Sequence, residues 1–125
     1  MSTKEIIQAK INVRFHSREL IRVVFQATDA FEKDDTEGIG QALRKKVLGI
    51  SSFLSHGTVK SDREEQNEDF LTVMGELREV LKLITIANHL GLCSDGHKIR
   101  VRSSIAQVID GLEKLTILLG GFEPK

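Results

Sequence analysis

The sequence predicts an all-α protein, an up-down-up-down antiparallel four-helix bundle. Apolar residues recur at steps of three and four in four separate segments, which is the period of an α-helix. The single proline, Pro124, stands at the very end and interrupts none of these segments. The connections between them are short, which favours antiparallel packing of consecutive helices. The chain of 125 residues, 40% of them hydrophobic, is expected to form one domain, 1–125.

The first two helices are predicted over residues 3–31 and 36–55. A charged segment separates them, and Asp34 with Glu37 three places later is typical of a helix N-cap. Gly57 follows the second helix, where glycine commonly ends a helix. The apolar seam of the first helix runs through Ile7, Ile11, Phe15, Leu20, Val24, Ala27 and Phe31. The seam of the second runs through Ile39, Leu43, Val47, Ile50 and Leu54.

The last two helices are predicted over residues 61–91 and 98–119. Ser61 with Glu64 matches the capping box, and the pair Gly120-Gly121 marks the end of the fourth helix. The seam of the third helix runs through Phe70, Val73, Leu77, Val80, Ile84, Ala87 and Gly91. The seam of the fourth runs through Val101, Ile105, Val108, Leu112, Leu115 and Leu119.

The first two helices carry more apolar residues than one seam requires. The additional residues are Ile6, Ile21, Val23 and Phe25 on the first helix and Leu48 and Phe53 on the second. A monomeric bundle would leave part of this surface in water, and exposed apolar patches tend to mark partner surfaces. Self-association into a homo-oligomer is therefore expected.

Charge is segregated by helix, although eighteen basic and eighteen acidic residues give a formal net charge of zero. Residues 61–91 hold seven acids and three bases, whereas the bases elsewhere form three clusters. These are Lys10, Arg14, Arg18 and Arg22 on the first helix, Arg44, Lys45 and Lys46 on the second, and Lys98, Arg100 and Arg102 at the start of the fourth. Arginine suits phosphate because its planar fork donates two hydrogen bonds at once.

The ten basic residues are therefore a candidate nucleic-acid-binding surface, with salt-dependent and largely sequence-independent affinity. Two other interpretations stay open. The cations form ordinary solvated faces, or the basic first helix pairs with the acids of the third helix inside the bundle. The absence of Trp and Tyr disfavours a platform on which unpaired bases stack.

Four segments resemble the four-helix-bundle proteins encoded in ribosomal RNA intervening sequences. GIGQALRKKVLGISSFLSHG is similar to the second-helix signature of that family, with its Leu, basic pair, Ile and final Gly. GELREV is similar to its Gly-Ser-Leu-x-Glu-Leu element, and FQATDAFEKDD and ITIANHLGL resemble the ends of its first and third helices. The sequence departs from the pattern at Lys46, Ser51, Phe53 and His56, where the family usually has Ala, Pro, Asn and Glu.

The same family includes the accessory variability determinant (Avd) proteins of diversity-generating retroelements. The resemblance implies a non-enzymatic homo-oligomer, in the form of a pentameric ring, that binds RNA or DNA and partners a reverse transcriptase. The basic pair Arg44-Lys45 is where the family pattern and the charge pattern coincide. The alternative function is a protein-interaction scaffold of this family without nucleic-acid binding.

Other function classes lack a signal in the sequence. No histidine has a Glu three places earlier, which disfavours the di-metal site that many four-helix bundles hold, and no metal or other cofactor is expected. There is no phosphate-binding loop, and no Ser, His and acid stand at a spacing typical of a nucleophile, so neither an enzyme nor a small-molecule substrate is expected. Cys93 is the only cysteine, and no apolar run reaches membrane-spanning length. We therefore expect a cytoplasmic protein with no membrane partner.

Overall fold

The structure is a computed structural model that describes residues 3–31, 35–59 and 62–120. It contains four helices, α1 (Thr3–Asp29), α2 (Ile39–Val59), α3 (Arg63–His89) and α4 (Asp95–Leu118), and the described residues include no β-strand. The predicted all-α architecture of four mutually packed helices is confirmed. Among the described ranges, no helix is both long and apolar enough to cross a membrane.

The four helices occupy the corners of a square. α1 packs against α2 and α4, and α3 packs against the same two helices, whereas α1 does not contact α3 and α2 does not contact α4. Neighbours run antiparallel: Lys46 of α2 pairs with Glu76 of α3, while Gly57, further along α2, lies against Phe70, earlier in α3. α1 and α3 are therefore parallel helices at opposite corners of the bundle.

Side-chain caps set the helix boundaries. The Asp35 carboxylate accepts hydrogen bonds from the backbone N–H groups of Ile39 and Gly40, each at 2.8 Å, so α2 begins at Ile39 and not at 36. Asp62 accepts from the N–H of Glu64 at the start of α3. The predicted caps Asp34 and Ser61 lie outside the described residues. The Ser94 hydroxyl accepts from the N–H of His97, and α4 therefore begins three residues earlier than predicted.

Two predicted glycine positions have different roles in the structure. α2 continues through Gly57 to Val59, and a Cβ at Gly57 would lie 3.2 Å from the Phe70 ring, so this glycine permits close approach of α3. Gly91 does not belong to the α3 seam. It has a φ of +77°, and the N–H of Leu92 donates to the carbonyl of Ala87 at 2.9 Å, which ends the helix in a Schellman turn.

The predicted seams of α2 and α4 are buried throughout, as is the α3 seam from Phe70 to Ala87. The predicted seam of α1 is wrong in its first half: Ile7, Ile11 and Phe15 are 52%, 45% and 50% exposed. The step from Phe15 to Leu20 is five residues, or about 500° of helical rotation, which places the two residues on different faces. The buried positions of this half are Ala9, Val13 and Ser17, which continue to Leu20 in steps of four, four and three.

Candidate nucleic-acid interface

The outward face of α1 combines cations, exposed at Arg18 and Arg22 and half-buried at Arg14, with exposed apolar side chains. Val13, Leu20 and Val24 face the core, so residues on the opposite side of this helix face away from the bundle. Positions seven apart differ by only about 20° of rotation, which aligns Ile7 with Arg14 and Ile11 with Arg18. We call this surface the α1 ridge; it consists of Ile7, Ile11, Arg14, Phe15, Arg18 and Arg22.

Most cations of the first cluster have no partner within the chain. Among the described residues, neither Arg14 nor Arg18 donates to any acceptor, and the same holds for Lys10 at the edge of the ridge. Arg22 pairs with Glu19 at 2.7 Å on the surface of the same helix. An exposed pair of this kind contributes only about 0–1 kcal/mol, so a competing phosphate displaces it at small cost.

A shallow groove between α1 and α4 extends the ridge sideways. Phe15, Arg22 and Arg100 line this groove together with Ser103, Ser104 and Gln107. The Arg100 guanidinium contacts the carbonyl of Gly96 in its own helix at 3.5 Å and is otherwise directed to solvent. The structure thus brings one cation of the third predicted cluster next to the first cluster.

The other two cations of the third cluster lie elsewhere. Residues two apart on a helix are separated by about 200°, so Lys98, Arg100 and Arg102 cannot share one face. The Lys98 ammonium donates to the Asn88 amide oxygen of α3 at 3.2 Å, and Asn88 also donates to the carboxylate of Asp95 at 2.9 Å. Arg102 is exposed and has no partner among the described residues. The apparent cluster in the sequence is therefore split between two sides of α4, with Arg100 on one side and Lys98 and Arg102, only about 40° apart, on the other.

Arg44 of the second cluster joins α2 to the end of α1. Its Nε donates to the Thr28 hydroxyl at 2.7 Å and its Nη2 to the Asp29 carboxylate at 2.5 Å. The guanidinium carbon lies 4.6 Å from the centre of the Phe25 ring, a cation–π contact. These contacts satisfy the charge of Arg44 within the chain.

The two lysines that follow Arg44 differ in environment. Lys46 pairs with Glu76 of α3 at 2.8 Å, and its side chain is only 31% exposed. Lys45 is exposed, has no partner among the described residues, and lines the grooves on both sides of α2. Of this cluster, Lys45 alone keeps its charge free for an external ligand.

The interpretation that basic helix 1 pairs with acidic helix 3 inside the bundle is wrong. The two helices stand at opposite corners, and no ion pair in the described part of the chain connects them. The cations of α1 and the exposed acids Glu64, Glu68 and Glu79 of α3 consequently lie on opposite sides of the protein, whereas Glu76 of α3 is directed to Lys46 of α2.

The apolar half of the α1 ridge was missed by sequence reasoning. Ile7, Ile11 and Phe15 were assigned to the core because they are apolar and spaced by four. The five-residue step after Phe15 is a sequence signal that this series leaves the core seam. The rival series, Ala9 and Val13, reaches Leu20 only through the polar Ser17, so the period by itself does not choose between them.

The described residues contain no group of three or more side chains arranged to hold a metal ion. Cys93 is buried, and burial raises the pKa of its thiol above the ordinary value of 9.0. Lys98 lowers this pKa and Asp95 raises it, each less than burial does. The thiol is therefore kept protonated and unreactive at neutral pH.

The fold and the surface together define a four-helix bundle with a cationic and apolar outer ridge. No protein-family model matches the chain, and no curated protein matches its sequence.

Proposed function

We propose that this protein is a non-enzymatic, self-associating accessory protein that binds the phosphate backbone of RNA or DNA through the α1 ridge. The observation that carries the proposal is the pair of Arg14, which is half-buried, and Arg18, which is exposed; neither has a partner in the described part of the chain. Arg22 and Arg100 add two cations beside them across the groove between α1 and α4.

The spacing of these cations suits a charged strand. Residues four apart on a helix rise by about 6 Å, so Arg14, Arg18 and Arg22 form a row about 12 Å long. Each guanidinium can donate two hydrogen bonds to one phosphate. The chain lacks Trp and Tyr, so the backbone of a duplex or structured nucleic acid suits the ridge better than stacked single-stranded bases.

The remaining predicted residues contribute unequally under this proposal. Lys10, Lys45 and Arg102 are available to more distant phosphates, because none has a partner among the described residues. Arg44, Lys46 and Lys98 serve first to hold neighbouring helices together.

The resemblance to the bundle proteins of ribosomal RNA intervening sequences, including the Avd proteins, supports the same proposal. Under it, the protein forms a homo-oligomer, a pentamer in the form the resemblance implies, and a reverse transcriptase is the expected protein partner. The exposed apolar residues of α1 and α2 are consistent with self-association.

A second candidate function is a protein-interaction scaffold that binds no nucleic acid. The apolar surface of α2 favours it: Leu48 and Phe53 are exposed on either side of Gly49, which has open space around it. In that case the charges would only fix the orientation of a protein partner.

Fluorescence anisotropy with a labelled DNA duplex and a labelled RNA hairpin separates the two functions. If Arg14, Arg18, Arg22 and Arg100 neutralise about four phosphates, the slope of log affinity against log salt is about −3.6. Raising the salt from about 50 to about 200 mM then weakens binding by about 150-fold.

The variant R14E/R18E should lose this binding, whereas R78E/K114E carries the same charge change at exposed positions of α3 and α4 and should retain it. Absence of binding at low salt and micromolar wild-type protein would refute the proposal. Equal losses in both variants would show that net charge, and not the ridge, is responsible.

A further inference from the structure

The outward face of α3 has the opposite character to the α1 ridge. Glu64, Glu68, Leu71, Gly75 and Glu79 follow one another at steps of four, three, four and four, on the side of α3 opposite its buried seam. We call these five residues the α3 face. The three glutamates are exposed, and Leu71 is 53% exposed.

The two surfaces are complementary in charge. The ridge carries Arg14, Arg18 and Arg22, and the α3 face carries Glu64, Glu68 and Glu79, of which Glu79 makes only an exposed 3.7 Å pair with Lys82 of its own helix. Because α1 and α3 do not touch within one chain, this complementarity is not used inside the bundle.

The two surfaces are also complementary in shape and apolar character. The α1 ridge presents large side chains, Ile11 and Phe15, while Gly75 of the α3 face has nothing within 4 Å of the place where a Cβ would stand. A glycine opposite a large side chain allows two helices to pack at a normal distance of about 8–10 Å. Leu71, one turn before Gly75, supplies an apolar contact for Ile11.

The surfaces lie at similar heights along the bundle. Val13 of α1 contacts Gly111 of α4, and Lys98 of α4 bonds to Asn88 of α3. Gly111 lies thirteen positions after Lys98, a rise of about 20 Å along α4. The same thirteen positions counted back from Asn88 along the antiparallel α3 reach Gly75. Val13 is therefore about level with Gly75. A second copy displaced sideways would therefore bring its Gly75 between Ile11 and Phe15 of the ridge, and its Glu79 level with Ser17, within reach of Arg18.

We infer that the α1 ridge binds the α3 face of a second copy of this chain. The two surfaces stand on opposite corners of one protomer, so the contact is heterologous and copies join head to tail. This inference rests on the same ridge as the proposed function, and it adds a form of regulation: a second copy and a nucleic acid compete for Arg14 and Arg18. Nucleic acid binding then separates copies, and self-association covers the ridge when nucleic acid is absent.

The test uses sedimentation velocity of the full chain at about 50 mM salt and tens of micromolar protein, where charge screening is weak. The wild type should sediment as species larger than the 14.0 kDa monomer and should dissociate at about 500 mM salt. Adding a DNA duplex should replace these species by protein–duplex complexes.

Paired charge reversal identifies the surfaces. R14E/R18E makes the ridge acidic, and E68K/E79K makes the α3 face basic, so each variant alone should be monomeric. An equimolar mixture of the two variants should associate again. The acidic ridge of R14E/R18E then meets the basic face of E68K/E79K, and the basic ridge of E68K/E79K meets the acidic face of R14E/R18E. The control D110K/E113K changes two exposed acids of α4 and should associate like the wild type.

The possible results separate this inference from the proposed function. Self-association of E68K/E79K or a mixture that stays monomeric would overturn the inference alone, whether or not duplex binds. A monomeric wild type would overturn the inference and also the self-association in the proposed function, while duplex binding by that monomer would leave the nucleic-acid role standing. Circular dichroism establishes that each variant is helical, and E68Q/E79Q replaces E68K/E79K if the latter fails to fold. Wild-type association with no duplex binding would refute the proposed function and leave this contact standing.

Discussion

Arg44 and Lys45 are adjacent in the sequence, but the structure predicts opposite consequences for their replacement. Arg44→Met keeps an unbranched apolar stem of similar length but removes the guanidinium, and with it the hydrogen bonds and the charge. Lys45→Met makes the same kind of change at an exposed position that has no partner among the described residues. Both variants lose one positive charge, so each serves as the charge control of the other.

The cost of Arg44→Met follows from its contacts. The hydrogen bond to the hydroxyl of Thr28, a buried residue, contributes about 1 kcal/mol. The contact with the Phe25 ring contributes about 0.5–1 kcal/mol. The pair with Asp29 adds a few tenths, about 0.3 kcal/mol, because the Asp29 side chain is 75% exposed and water screens it. The free energy of unfolding should fall by about 2 kcal/mol, or about 6–10 °C in Tm.

Urea denaturation followed by circular dichroism measures this difference. Lys45→Met should change the free energy of unfolding by less than about 0.5 kcal/mol, as surface substitutions usually do. In the anisotropy assay Lys45→Met should weaken duplex binding, while folded Arg44→Met should bind almost like the wild type. Equal stability of the two variants would refute the argument that Arg44 joins α1 to α2. A larger loss of duplex binding in folded Arg44→Met would return Arg44 to the nucleic-acid surface.

Three further predictions test the fold. Val13 is buried and Ile11 is exposed, so Val13→Ala should lower the free energy of unfolding by about 1–3 kcal/mol and Ile11→Ala by less than about 0.5 kcal/mol in urea denaturation. The reverse order would mean that the seam predicted from the sequence, through Ile11, is the buried one. Asp35→Ala removes the acceptor of two backbone N–H groups and should cost about 1–2 kcal/mol, whereas the exposed neighbour variant Thr36→Ala should be nearly neutral. Cys93 should react slowly with iodoacetamide until urea unfolds the chain. A thiol that reacts at the same rate in folded and unfolded protein would contradict its burial. Because burial raises the pKa of the thiol, the unfolded state loses this proton at a lower pH than the folded state. The contribution of Cys93 to stability should therefore decline as the pH rises above 9.0.

The charge distribution gives the two proposals a common physical basis. A chain with zero net charge has no general attraction to polyanions, so any binding must come from local surfaces. The square arrangement puts the most basic outward helix face and the most acidic one on opposite sides. That separation leaves the ridge accessible to phosphate and, equally, to another copy.

The sequence by itself determined the number of helices, their approximate ends and the inward faces of α2, α3 and α4. These depend on local periodicity, which survives in any packing of the same helices: the unbroken steps from Leu43 to Leu54 or from Val101 to Leu119 allow one buried face only. Only the tertiary structure decided which of two series in the first half of α1 is buried, the one through Ile11 or the one through Val13, since both residues are apolar. The choice depends on the residues of α4 that lie opposite, and here the small Gly111 stands beside Val13. The tertiary structure likewise decided that Arg44 and Lys46 have partners while Arg14 and Arg18 have none among the described residues. An ion pair depends on which residues the neighbouring helices bring within a few ångströms. Sequence spacing within one helix carries no information about those neighbours.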